Sequence, residues 1–128
     1  MARHVLLADD GSKAAAHARR FALMLTATTG ARLTAVYVRA PLESHEEGQR
    51  KLAVTLAAAA AADRRCTAVV EPPVGVTNPG RRIIAAAARC RADLIVVGAR
   101  GAGLVRKLLG SVSSYVVSRA RVSVCVVR

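Results

Sequence analysis

The chain has 128 residues and a formal charge of +12, from 20 Lys and Arg against eight Asp and Glu. That length suits one domain, residues 1–128, with an aliphatic core, because Trp is absent and Phe21, Tyr37 and Tyr115 are the whole aromatic set. No apolar run reaches the roughly 18 to 20 residues of a membrane span, and MARHVLLADD enters a strand pattern without a signal peptide's apolar region, so a cytoplasmic protein is expected.

HVLLADD (4–10) is a short apolar run ending in acids. Gly11 and Ser12 then open KAAAHARRFALMLTATTG, a run of helix formers closed by Gly30, with Ser12 as a candidate cap. RLTAVYVR (32–39) is rich in β-branched residues and reads as a second strand. From Glu43 to Asp63 the chain is helix-forming, with Glu43, Glu46 and Glu47 early and only Gly48 interrupting, an order that suits the helix dipole. Its AVTLAAAAAAD stretch has the best intrinsic helix propensity available.

CTAVVEPP (66–73) makes a third strand that two prolines end. RRIIAAAARCR (81–91) supplies a helix, with Thr77 or Asn78 near its start and Pro79 suited to a first turn. DLIVVG (93–98) is apolar throughout after Asp93, as the centre of a parallel sheet covered on both faces requires. SVSSYVVSRA (111–120) is a fourth helix with Ser111 as a candidate N-cap, and VSVCVVR (122–128) is a fifth strand.

This β-α-β-α-β-α-β-α-β alternation predicts a doubly wound α/β fold, an open parallel sheet with helices on both faces. Ligands of such sheets sit beyond the carboxyl ends of the strands, where the strand order reverses. The ends of the first and fourth strands, Asp9-Asp10 and Gly98, therefore meet at one crevice.

GARGAGLVRKLLGS (98–111) follows the fourth strand with four glycines, three cations and no acid. Glycines 98, 101, 103 and 110 clear side chains from the backbone, so that amide N–H groups can turn inward as an anion site. Ser111 and Ser113 stand in the next helix's first turn, where unpaired N–H groups and the dipole favour phosphate. Arg100, Arg106 and Lys107 can add charge-assisted bonds. A flexible glycine linker is the competing reading, and Ser-x-Ser at the helix start weighs against it. The P-loop pattern is absent because Leu104 follows Gly103, and G-x-G-x-x-G fails at Arg106.

Together, D-G-S (10–12), V-Y-V (36–38), A-D-L-I-V-V-G-x-R-G (92–101), L-L-G-S-V-S (108–113) and the final V-V resemble the universal stress protein family over essentially the whole chain. The resemblance implies a five-stranded sheet of order 3-2-1-4-5, like that of the adenine nucleotide alpha hydrolases. It further implies ATP or AMP held through G-x2-G-x9-G-[ST], a role in stress response, and homodimers paired through the last strand. Residue by residue, it implies phosphate contacts from Gly98, Gly101, Gly110, Ser111, Val112 and Ser113, ribose or adenine contacts near Ala8, Asp10 and Val38, and a basic position at Arg100. Mg or Mn as the accompanying cation is left open.

Three departures stand out. Eight residues separate Gly101 from Gly110 where the motif has nine, Arg121-Val122-Ser123 replaces a common proline, and VGVTNPG is longer than the family's usual connection. Adjacent strand residues face opposite ways, so one of Asp9 and Asp10 reaches the crevice, and Asp10 is the choice for a ribose hydroxyl or metal. His4, His17 and His45 lack ligand spacing, and Cys66, Cys90 and Cys125 form neither a C-x-x-C pair nor a disulfide framework. Arg19-Arg20, Arg64-Arg65 and Arg81-Arg82 read as solvated helix faces.

Three functions follow. The favoured one is a nucleotide-binding stress protein with slow ATP hydrolysis at most, since neither a general base nor a P-loop lysine is visible. The second is a dimeric stress protein without nucleotide that works through partner proteins, supported by the shortened loop. The third, a basic nucleic-acid binder, rests on charge alone; the basic residues run from Arg3 to Arg128 without one cluster, and few aromatics could stack bases.

Overall fold

The computed structural model describes residues 2–75, 77–99 and 109–128. Strands β1 (His4–Ala8), β2 (Arg32–Val38), β3 (Cys66–Glu71), β4 (Leu94–Gly98) and β5 (Ser123–Val127) alternate with helices α1 (Ala16–Thr29), α2 (His45–Ala61), α3 (Gly80–Cys90) and α4 (Ser111–Arg119). All strand pairs are parallel and the sheet order is β3-β2-β1-β4-β5, as the alternation and the resemblance predict. No described helix is long and apolar enough to cross a membrane.

Side-chain alternation sorts the core into two layers. On one face Val5 and Leu7 of β1, with Leu33 and Val96, pack against Ala18 and Ala22 of α1, while Ala35 and Tyr37 meet Leu52 of α2. On the other, Leu6, Val36, Ile95 and Val97 pack against Ile83 and Ala86 of α3 and Val116 of α4. Small residues let the helices close on the sheet. A Cβ on Gly48 would lie 2.6 Å from Val70 Cγ1, so the glycine that interrupts α2 lets the helix sit against β3 there.

Helix ends largely follow local chemistry. Ser44 and Glu47 form a capping box at α2, with Glu46 and Glu47 in its first turn. Gly30 closes α1, its N–H donating to the Thr26 carbonyl. Three expectations need correction. Helix α1 starts at Ala16 and not at Ser12, because Asp10 Oδ1 accepts the Ser12 N–H at 2.9 Å and Gly11 takes φ 75°, which bends the chain into a turn first. Ser12 Oγ accepts the Ala15 N–H at 3.2 Å and so caps that turn. At α4, Gly110 occupies the N-cap and Ser111 is the first helical residue. At α3, Asn78 Oδ1 accepts the Gly80 N–H at 2.8 Å, while Pro79 sits at the N-cap.

Arg19 is the fourth correction, since it is buried and not on a solvated face. Its Nε lies 2.9 Å from Asp9 Oδ2 and its Nη2 2.9 Å from Asp9 Oδ1. Thr55 of α2 donates its hydroxyl to the same carboxylate and accepts from Arg19 Nε at 3.0 Å. His4 is buried too, with Nε2 2.7 Å from Thr34 Oγ1, which suits a packing role.

Removing the Asp9 carboxylate strands a buried guanidinium, so Asp9→Ala is expected to cost about 3–5 kcal/mol in urea unfolding. Thr55→Val, which keeps the ion pair, should cost about 1 kcal/mol. Equal losses from the two would argue against a paired charge at this position.

Candidate functional site

A cavity of about 800 Å³ opens at the carboxyl ends of β1, β2 and β4. The reversal of strand order between β1 and β4 parts the crossover connections there, as the topology predicts. Ala8, Asp10, Val38, Gly98, Gly110, Ser111, Val112 and Ser113 all line it, so segments more than 100 residues apart in sequence share one wall. Arg100 and Gly101, also nominated from sequence, lie outside the described residues.

The α4 end is built by a clamp. Gly110 N–H donates to the Ala99 carbonyl at 2.7 Å, and the Ser113 hydroxyl is shared between the Ala99 and Gly110 carbonyls at 2.9 and 3.0 Å. Ala99 and Gly110, on either side of the glycine-rich segment, are thus held together. The clamp also corrects part of the amide expectation. Gly110 N–H and the Ser113 hydroxyl are used internally, so at these positions the ligand is offered space and, from Ser113, a main-chain donor. Among the described residues, the N–H groups of Ser111, Val112 and Ser113 have no protein acceptor. They stand in the first turn of a helix, where the dipole favours an anion.

The start of α3 also borders the cavity, through Pro79 and Ile83, but it is already saturated. Its Gly80 N–H goes to Asn78 Oδ1, Arg81 N–H to the Asn78 carbonyl, and Arg82 and Ile83 N–H to the Pro79 carbonyl. Of the two helix starts, α4 is the one whose donors lack acceptors among the described residues.

At the other end lies the β1–α1 turn. Asp9 and Asp10 both line the cavity, but Asp9 is only 3% exposed and its oxygens serve Arg19, Thr55 and the Gly11 N–H. Asp10 is half-buried, with Oδ1 on the Ser12 N–H. Gly11 is pressed onto α2, where a Cβ would sit 2.8 Å from the Lys51 carbonyl oxygen, and its φ of 75° disfavours any side chain.

Tyr37 and Lys51, which the sequence reading missed, complete this wall. The Tyr37 hydroxyl donates to Glu43 Oε1 at 2.5 Å, Lys51 Nζ donates to the Tyr37 oxygen at 2.9 Å, and Lys51 pairs with Glu43 Oε2 at 2.7 Å. Burial pushes the Glu43 carboxyl up, but hydrogen bonds from Lys51, Tyr37 and the Ala40 N–H outweigh it and hold the group at about 2. The hydrogen bonds to Glu43 and Tyr37 raise Lys51. Burial, then the bond to Glu43, raises Tyr37. Nothing local in the sequence marks this trio, whose members come from a strand end, a loop and mid-helix. Pro79 and Ile83 were missed for a similar reason, since only packing brings α3 over the strand ends. Among the described residues no group of three His, Cys, Asp or Glu could hold a metal ion.

The family model for the universal stress protein family matches residues 1–128. Universal stress protein Sll1388 of Synechocystis sp. is 48% identical over 56 residues, which cover 43% of this chain and 36% of that relative. A universal stress protein solved in complex with cAMP superposes with a TM-score of 0.76 at 26% identity, over 99% of this chain and 97% of the other. Universal stress protein UspA from Lactobacillus plantarum gives 0.72 at 26% identity, over 100% and 99% of the two chains.

The depressed Glu43 has a testable consequence. Its stabilising contribution is fully present above the unfolded value near 4.5 and is lost as the pH falls toward about 2. The stability gap between the wild type and Glu43→Gln should be constant from pH 7 to about 5.5 and close below about 4.5. A gap that does not change down to pH 2 would show that Glu43 is not held ionised by these partners.

Proposed function

The chain belongs to the universal stress protein family, and on that premise we propose that it binds an adenine nucleotide in this cavity. The phosphates lie over the first turn of α4, on the N–H groups of Ser111, Val112 and Ser113, where Gly98 and Gly110 leave room for them. The base and ribose lie against Ala8, Val38 and Asp10. Arg100 and Gly101 complete the phosphate contacts in this reading.

The observation that carries it is the first turn of α4, whose donors have no acceptor among the described residues, facing a cavity whose other wall is the Asp10 turn, beside an α3 start that is already capped. The complex of a similar family member with cAMP lends support. ATP or AMP is the ligand we favour. Mg or Mn, if it accompanies a triphosphate, finds Asp10 as its one unpaired protein carboxylate among the described cavity residues, so the phosphates themselves would carry most of its coordination. In this reading the protein acts in the cytoplasm as a nucleotide-dependent sensor or regulator of the stress response. It works as a homodimer through β5, whose outer edge no described strand covers.

Titration with fluorescent ATP tests the proposal. Saturable binding is expected for the wild type, and Gly110→Asp should weaken it at least about tenfold by placing a carboxylate beside the phosphates. Asp10→Ala should weaken ATP and adenosine alike. A wild type that takes up no nucleotide but sediments as a dimer would replace this reading with a partner-binding role. Steeply salt-dependent DNA binding without ATP binding would favour the nucleic-acid reading.

A further inference from the structure

We infer that Asn78 is a positioning residue for the phosphate cradle, an inference that rests on the phosphate reading above. Its carboxamide joins two helix starts. Oδ1 accepts the Gly80 N–H of α3 at 2.8 Å, and Nδ2 donates to the Ser111 carbonyl of α4 at 3.1 Å. Both atoms of the amide are therefore committed, and the orientation of the group follows from its partners.

The second bond matters because a peptide unit is planar and trans. The Ser111 carbonyl and the Val112 N–H belong to the same peptide plane and point in opposite directions. Anchoring the carbonyl on Asn78 fixes that plane, and with it the direction of the Val112 N–H, one of the three α4 donors without an acceptor among the described residues. Val112 lines the cavity.

A separate contact fixes the distance between the helices. A Cβ on Gly80 would lie 2.8 Å from Tyr115 Cδ1 and 3.2 Å from Val116 Cγ2, so α3 begins in direct contact with α4. Packing sets the separation there and the Asn78 carboxamide sets the rotation. The same side chain accepts the first N–H of α3, so it helps complete one helix end while aiming the other. The long connection before α3 ends on this residue, and neither the glycine-rich motif nor the cavity's strand ends include it.

The test compares ATP with adenosine, which lacks phosphates, on wild type, Asn78→Ser and Asn78→Asp. Serine keeps a short acceptor for the Gly80 N–H but loses the donor to Ser111. Its ATP dissociation constant should rise about fivefold, with adenosine binding and the melting temperature unchanged. Aspartate also keeps the acceptor but sets a charge against the Ser111 carbonyl and the phosphates. It should lose more ATP affinity at low salt and regain part of it as salt is raised.

Variants that bind ATP as the wild type does would overturn the inference, as would equal losses for ATP and adenosine, which would mean general damage to the cavity. A wild type that binds adenosine but gains nothing from its phosphates would instead defeat the phosphate reading, and the role of Asn78 with it.

Discussion

The buried carboxylate of Asp9 constrains the rest of the site. A charge that far from water is tolerable only with its partners in place, and here they come from two helices and a turn. Arg19 ties α1 to the end of β1, Thr55 ties α2 to the same oxygen, and the Gly11 N–H brings in the turn between them. Breaking any of these leaves an uncompensated group, so the three elements hold one geometry. That geometry presses Gly11 onto the Lys51 carbonyl and leaves Asp10, next in sequence, on the cavity wall. Two adjacent acids just past β1 thus take two jobs, Asp9 committed to Arg19, Thr55 and the Gly11 N–H and Asp10 half-buried on the cavity wall.

The opposite wall follows a different rule. Helices α3 and α4 both begin at the cavity, and each brings the same unsatisfied N–H groups and dipole end. At α3 the chain meets these needs itself through Asn78 and Pro79. At α4 the cap is Gly110, which has no side chain to offer, and Ser113 turns its hydroxyl back onto the Ala99 and Gly110 carbonyls. Among the described residues, nothing takes up the donors of the first turn of α4. Two helices of similar origin differ because Asn78 and the carbonyls beside it serve the α3 start, while a glycine stands before α4.

The excess of positive charge acts on another scale. A net +12 draws anions from a distance and weakens with salt, without selecting among them. Selection needs short-range geometry, and at the cavity's α2 side Lys51, a described cation of the wall, is already neutralised by Glu43. Arg19, read from sequence as part of a solvated helix face, spends its charge inside the fold. Counting basic residues therefore overstates what the surface presents.

Periodicity and punctuation in the sequence determined the element order and the parallel sheet, because the fully apolar β4, the alanine-rich helices and the glycines and prolines between them each act over a few residues, while the 3-2-1-4-5 order followed from the family resemblance. They also located the crevice, since strand ends and a glycine-rich segment are local features that topology brings together. Tertiary structure alone decided the partners across the fold. Asp9 with Arg19 and Thr55, Tyr37 with Glu43 and Lys51, and Asn78 with Ser111 each span separate elements, and no spacing rule connects them. It also decided which amides remain free, because a donor's availability depends on every neighbouring acceptor, and those neighbours are set by how helices pack and not by the residues adjacent in the chain.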